Sequence, residues 1–166
     1  MEQKIWIKDN FITKELCSKI INFFDNTYES LGAKFSDREL LNFSHIIDQL
    51  SNDDPQQDID DIKYIQTKLD QNIGIIDPSA FINYSHIVKR GVDSYQLSHT
   101  DFDYHSWTSI LYLNDNFAGG ETRILDEVIN PSTGMLVTFQ GNVLPHEVLP
   151  VTKGYRYNIL VWYKTV

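Results

Sequence analysis

Within residues 81–166 lie seven short segments rich in β-branched and aromatic side chains: FINYSHIVK, SYQLSHTDFDY, WTSILYLND, ETRILDE, MLVTFQG, PHEVLPV and RYNILVWYK. Turns containing Gly, Pro or Asn separate them. Strands this short and this closely spaced make a sandwich or jelly-roll barrel rather than alternating βαβ units. Ahead of them the period differs. KIWIKDNFI reads as a short strand, and from Thr13, a fitting N-cap, Leu16, Ile20, Phe23 and Phe24 recur with helical spacing. Further helices are expected around Arg38–Leu50 and Ile59–Gln71. The expectation is a mainly β, α+β chain forming a single domain over 1–166. Residues 1–80 form a mostly helical support, and 81–166 a jelly-roll core.

Several function classes are disfavoured before any motif is considered. The net charge is −9 and no Lys/Arg-rich run occurs, so non-specific contact with nucleic-acid backbones is not expected. No apolar stretch is long enough to span a membrane, and MEQKIWIKDNF lacks the pattern of a signal peptide, which points to the cytoplasm. The single cysteine, Cys17, sits in an apolar helical pattern and reads as a packing residue. Asp53, Asp54, Asp58, Asp60 and Asp61 surround Pro55 and read as a solvated connection before a helix.

The chemistry concentrates in SHTDFDYHSW, where His99, Asp101, Asp103 and His105 alternate. On one continuous strand all four would share a face. Two ligands at i and i+2 grip a metal from one side, and a third must come from elsewhere. His45 lies in a pre-barrel helical segment and His86 within an early strand. His146 lies near the chain end, where the last strands of a jelly roll return beside the early ones. Two His and one carboxylate make the facial triad of non-haem Fe(II) oxygenases, with three coordination positions left open.

Arg156 follows His146 by ten residues, and alternation puts it on one face with Asn158, Leu160 and Trp162. A cation inside a barrel needs an anionic partner, because an unpaired buried charge is costly. A dicarboxylate cosubstrate supplies one: its keto-acid end chelates the metal and its far carboxylate meets the guanidinium fork. Thr108, Ile110 and Tyr112 alternate onto one face, so the Tyr112 hydroxyl could reach the same carboxylate or simply fill the core.

HTD at 99–101, YLNDNFAGGETRI at 112–124, PSTGMLVTF at 131–139 and HEVLPVTKGYRYNILVWY at 146–163 resemble Fe(II)- and 2-oxoglutarate-dependent dioxygenases, most closely the prolyl 4-hydroxylase branch. The resemblance covers roughly residues 85–165. It implies a double-stranded β-helix and an activity that couples decarboxylation of 2-oxoglutarate to hydroxylation of an unactivated C–H bond, releasing succinate and CO2. O2 is the other cosubstrate and ascorbate a candidate reductant. By position it implies His99, Asp101 and His146 as iron ligands and Arg156 as the partner of the distal carboxylate. Tyr112 and Thr122 fall among cosubstrate-pocket residues, and Trp162 matches a pocket wall. The substrate implied is a protein, peptide or small molecule carrying a prolyl or other amino-acid residue.

The branch has a Tyr three residues before the first His, whereas here Tyr95 stands four before His99. One residue is inserted, so the resemblance assigns Tyr95 no role. A peptidyl proline stands as the leading substrate by resemblance, with a free amino acid or other small molecule as its competitor. Asp103 and His105 fall beyond the metal pair and read as solvated or supporting loop residues at the site mouth. Asp101 favours hydroxylation over halogenation, since a halide would need the carboxylate's place. Rival readings are a non-catalytic cupin-like metal- or sugar-binding module and a metal-dependent hydrolase or isomerase. Neither gives a reason for the spacing of Arg156.

Overall fold

The computed structural model describes residues 5–166. Lys4, with which the expected first strand begins, lies outside them. In chain order the elements are β1 (Trp6–Lys8), α1 (Lys14–Leu31), β2 (Ala33–Phe35), β3 (Arg38–Asn42), α2 (Ile46–Gln49), α3 (Gln56–Ile76), β4 (Ala80–Arg90), β5 (Gln96–His99), β6 (Trp107–Tyr112), β7 (Ala118–Gly119), β8 (Thr122–Ile124), β9 (Glu127–Ile129), β10 (Leu136–Phe139), β11 (His146–Val148), β12 (Val151–Lys153) and β13 (Arg156–Thr165). A seven-stranded sheet runs β1-β10-β6-β13-β4-β3-β2, a four-stranded sheet β5-β11-β8-β9, and a pair β12-β7. The strand pairs are antiparallel. Helices cover the outside of the large sheet and the small sheet faces its inside. This is the double-stranded β-helix with helical support.

Strand alternation divides the work on β13. Tyr157, Ile159, Val161 and Tyr163 point outward into one apolar cluster. That cluster also takes Cys17, Ile20 and Phe24 of α1, Ile62, Ile65 and Leu69 of α3, and Ile87 and Leu111 from the neighbouring strands. Each such aliphatic side chain contributes roughly 1.5–3 kcal/mol on burial. Thr13 caps α1 by accepting the Leu16 N–H at 3.1 Å. The Cys17 thiol is buried and its pKa is pushed up to about 11 by loss of solvent, which suits packing rather than reactivity. No helix among the described residues is long and apolar enough to cross a membrane.

The other residues of β13, Arg156, Asn158, Leu160 and Trp162, face inward. Register aligns them in rows with inward residues of β4 and β6. Trp162 lies between Tyr84 and Thr108, Leu160 between His86 and Ile110, Asn158 between Val88 and Tyr112, and Arg156 beside Arg90. The inner face is therefore graded, aromatic at one end and cationic at the other.

The helix expected over Arg38–Leu50 is a strand, β3, followed by the single helical turn of α2. Leu41 packs against the helix layer while Arg38 lines the cavity between the sheets. Leu40 and Leu41 are adjacent rather than alternating, and Phe43, Ile46, Ile47 and Leu50 just beyond recur at helical spacing, so the segment imitates a helix. The segments ETRILDE and PHEVLPV each hold one three-residue strand and end on the first residue of the next.

Ile65 is fully buried between α3 and the sheet. Ile65→Ala should therefore lower the free energy of unfolding by ~2–5 kcal/mol in denaturant titrations, the usual cost of such a cavity.

Candidate functional site

β5 and β11 pair so that His99 and His146 are directly opposite. Their imidazoles approach to 4.4 Å between ring centres. Each ring donates from Nδ1 to a backbone carbonyl two residues earlier, His99 to Leu97 and His146 to Leu144, both at 2.8 Å. Those bonds fix the tautomer and leave each Nε2 lone pair free for a metal. Both Nε2 atoms face Asp101 Oδ1, at 3.6 Å from His99 and 3.5 Å from His146. The three ligand atoms lie within 4.8 Å of one another, a set that fits a divalent cation with open coordination positions.

β5 ends at His99, so Asp101 is held in a loop and not on a strand. Its N–H donates to Gly141 O at 2.9 Å, and its Oδ2 accepts the Thr108 hydroxyl at 2.5 Å. Burial raises the Asp101 pKa, but the His146 and His99 rings beside it and the hydrogen bond from Thr108 outweigh it and hold the carboxyl well below the usual range. The Asp101 carboxylate beside it raises the His99 pKa. Gly141 has no room for a side chain. A Cβ there would strike Asp101 Oδ2 and Thr108 Oγ1.

A cavity of about 110 Å³ runs from this triad between the sheets to Arg156. Arg156 is 2 % exposed. Its Nε donates to Gly120 O at 2.9 Å, one terminal nitrogen to Asn158 Oδ1, and the other to Thr122 Oγ1 at 3.1 Å. The guanidinium lies 5.2 Å above the Tyr112 ring, and the Tyr112 and Thr122 hydroxyls are hydrogen-bonded. Burial lowers the Arg156 pKa. Two of its five N–H groups remain for an anion. Tyr112 is fully buried and meets the cavity only through Thr122 and the guanidinium.

A second cavity, about 350 Å³, opens on the other side of His99 and Asp101. Tyr84, His86, Phe102, His105 and Trp162 line it. Burial lowers the His86 pKa to about 4, so that ring is neutral at pH 7.

The loop after β5 separates Asp103 and His105 from the metal pair and from each other. His105 N–H bonds Phe102 O in a turn, which sends Asp103 outward. His105 itself is buried, not solvated, and stacks on Trp162 with centroids 5.8 Å apart. Asn83 bonds its Nε2 at 3.0 Å. Tyr95 is exposed and anchored only through its backbone, its N–H donating to Asp37 Oδ2 at 3.0 Å. Thr108 and Gly141 were not identifiable as supports of Asp101 from sequence, because both act through tertiary contact. Arg38 and Arg90 also line the metal cavity, and neither stood out in the sequence. Arg90 carried one usable signal: alternation along SHIVKR puts it on the face of His86.

The model of the 2OG-Fe(II) oxygenase superfamily matches residues 81–164. Human prolyl 3-hydroxylase 2 is 31% identical over 70 residues, 37% of this chain, and its rat counterpart is 30% identical over the same length. The chain aligns with only 10% of the length of these relatives. A prolyl-4-hydroxylase of Pseudomonas putida superposes with a TM-score of 0.73 at 15% identity, covering 99% of this chain and 94% of that one. The viral collagen prolyl hydroxylase of Paramecium Bursaria Chlorella virus-1 gives 0.69 at 18% identity, over 98% and 96%. A Trichoplax adhaerens prolyl hydroxylase, solved with a hypoxia inducible factor peptide fragment, gives 0.74 at 18% identity, over 97% and 83%.

Two substitutions separate ligands from neighbours. His99→Ala should abolish stoichiometric Fe(II) or Mn(II) binding in calorimetry, while His105→Ala leaves it within about twofold. Gly141→Ala should weaken metal binding by roughly tenfold or more, about 1.4 kcal/mol or more, because the methyl group displaces the Asp101 carboxylate.

Proposed function

Because the chain belongs to the 2OG-Fe(II) oxygenase superfamily, we propose that it is a prolyl-hydroxylase-like enzyme that oxidises an unactivated C–H bond of an amino-acid residue, free or within a peptide. One observation carries the reading: the His99–Asp101–His146 cluster and the buried Arg156 stand at opposite ends of one cavity. A keto acid with a distal carboxylate spans those two ends. A non-catalytic module would need no such cation.

When bound, Fe(II), 2-oxoglutarate and O2 supply the oxidising power to insert one oxygen atom, with succinate and CO2 as the other products. The protein's part is positional. His99, Asp101 and His146 hold the metal on one side and leave the other for reactants. Thr108 ties down Asp101 Oδ2 so that Oδ1 points inward. Arg156 presents its two remaining N–H groups to the distal carboxylate. Thr122 Oγ1 accepts from Arg156, and with Tyr112 also donating to it, the Thr122 proton is free to turn toward the same carboxylate. Val88, Ile110 and Leu160 wall the span between and keep water out. The aromatic cavity beside His99 and Asp101 seats the substrate, the neutral His86 and His105 rings adding shape without charge.

The resemblance to prolyl hydroxylases supports a prolyl target, with free proline and other small acids as competitors. Peptide and free-proline substrates are distinguished by mass spectrometry after incubation with enzyme, Fe(II), 2-oxoglutarate and ascorbate. A gain of one oxygen atom on a defined residue, with an equal amount of succinate, is the expected result. Its absence from both substrates, together with no visible absorption when Fe(II) and 2-oxoglutarate are combined anaerobically, would sink the reading. Arg156→Gln should weaken 2-oxoglutarate binding by roughly ten- to a hundredfold, the worth of a charge-assisted hydrogen bond. Metal affinity should stay unchanged.

A further inference from the structure

Arg156 is not alone at its end of the cavity. Register sets Arg90 of β4 directly between Arg156 of β13 and Arg38 of β3. All three line the same cavity. Like charges placed directly opposite across strands repel, so such a row favours compensating anions. Just two acids share the lining among the described residues: Asp101, and Glu147, which is paired with Arg123.

Charge counting shows what the row lacks. A divalent metal, the Asp101 carboxylate, Arg156 and dianionic 2-oxoglutarate cancel. Arg90 is offset by Asp37, whose Oδ1 lies 3.5 Å from its Nη1. That same Nη1 bonds Ser94 Oγ at 3.0 Å and Tyr95 O at 3.3 Å. Arg38 shares the one Asp37 carboxylate with Arg90, and its Nη1 donates to the neutral Gln96 side chain at 2.7 Å, so the pair keeps one positive charge in excess. Arg90 is 5 % exposed, and its Nε, fully shielded from solvent, has no hydrogen-bond partner among the described residues. A buried donor left without an acceptor costs about 1–3 kcal/mol. An anion at this end would offset the excess charge.

We propose that Arg38 and Arg90 form a second anion site, separate from the cosubstrate's, and that its occupant is a carboxylate of the substrate. This rests on the oxygenase reading above and adds the substrate class: the molecule oxidised is an acid. Gln96 lies three residues before His99 on β5, a span of roughly 10 Å along a strand. An acid bound there reaches back to the metal cluster. The carboxylate is either that of a free amino acid or that of an acidic residue near the target in a peptide.

Side-chain Nε–H resonances of 15N-labelled protein test this without turnover. Zn(II)-loaded protein is first saturated with 2-oxoglutarate. It is then titrated with L-proline and L-prolinamide, and with a capped Gly-Pro-Gly-Glu peptide and its Gln counterpart. The expected result is that the acid of one pair shifts the Arg38 and Arg90 Nε–H signals saturably, and its neutral partner binds roughly tenfold weaker or less, a difference of about 1.4 kcal/mol. The pair that responds identifies the source. Arg38→Gln should erase the acid's advantage, Arg38→Lys should keep part of it, and both should leave 2-oxoglutarate affinity intact. Equal binding of acid and neutral partner overturns the proposal, as does no shift with any of the four. So does a loss of 2-oxoglutarate affinity in Arg38→Gln, which would assign the arginine to the cosubstrate. If 2-oxoglutarate fails to bind at all, the oxygenase reading falls, and the acid comparison is then read on the Zn(II)-loaded protein alone.

Discussion

The pairing of β5 with β11 sets His99 opposite His146, and the rest of the site follows from that register. The two residues are far apart in the chain, yet their rings meet at 4.4 Å because one strand pair aligns them. A slip of one residue would turn one imidazole to the opposite face of the sheet, since side chains alternate with a period of two. The ladder alone does not orient the rings. The Nδ1 bonds to Leu97 and Leu144 do that, each using a carbonyl two residues back on its own chain segment. The same local motif thus occurs twice, and the two copies aim their Nε2 atoms at one carboxylate. Asp101 needs different handling because it follows the strand. A loop residue has no ladder to fix it, and Gly141 and Thr108 take that role from β10's end and from β6.

Much of this was legible in the sequence, and the reasons differ by element. β13 was readable because it alternates strictly, so the inward set from Arg156 to Trp162 follows from period two alone. The His-x-Asp pair and the distant His146 were readable as a metal pattern because so few ligand combinations occur in this chain. The stretch after His99 was not. Its alternating ligands imitate a strand, but the turn at Phe102–His105 breaks the alternation and buries His105 against Trp162. Only contact with Asn83 and Trp162 makes that imidazole an inner residue, and no local pattern encodes such contact. β3 failed for the opposite reason. Its adjacent Leu40 and Leu41 break the alternation that marks a strand, and the apolar residues just beyond it recur at helical spacing.

The supports of the site were the least legible part. Thr108 is an ordinary strand residue until Asp101 comes within 2.5 Å of it. Gly141 is an ordinary turn glycine until the space around its Cα is seen to belong to Asp101 and Thr108. Residues that bind a ligand are limited by chemistry to a few types. Residues that hold those ligands in place can be almost anything, since their function is the absence of volume or one hydroxyl at the right point.

The division of β13 explains how the fold tolerates a cationic inner row. Its outward residues, Tyr157 to Tyr163, pack against α1 and α3 in the largest apolar cluster, and β13 shares its longest pairing with β4. Those two features fix the backbone beneath Arg156 and Arg90 before either side chain is considered. The guanidiniums stay on one inner face, Arg156 held by Gly120, Asn158 and Thr122 and Arg90 by Asp37, Ser94 and Tyr95. Repulsion left over after those bonds favours the binding of negative charge. A rigid sheet carrying like charges in register is in this sense prepared for its ligand, and the stability that holds it so comes from side chains on the opposite face that never touch the chemistry.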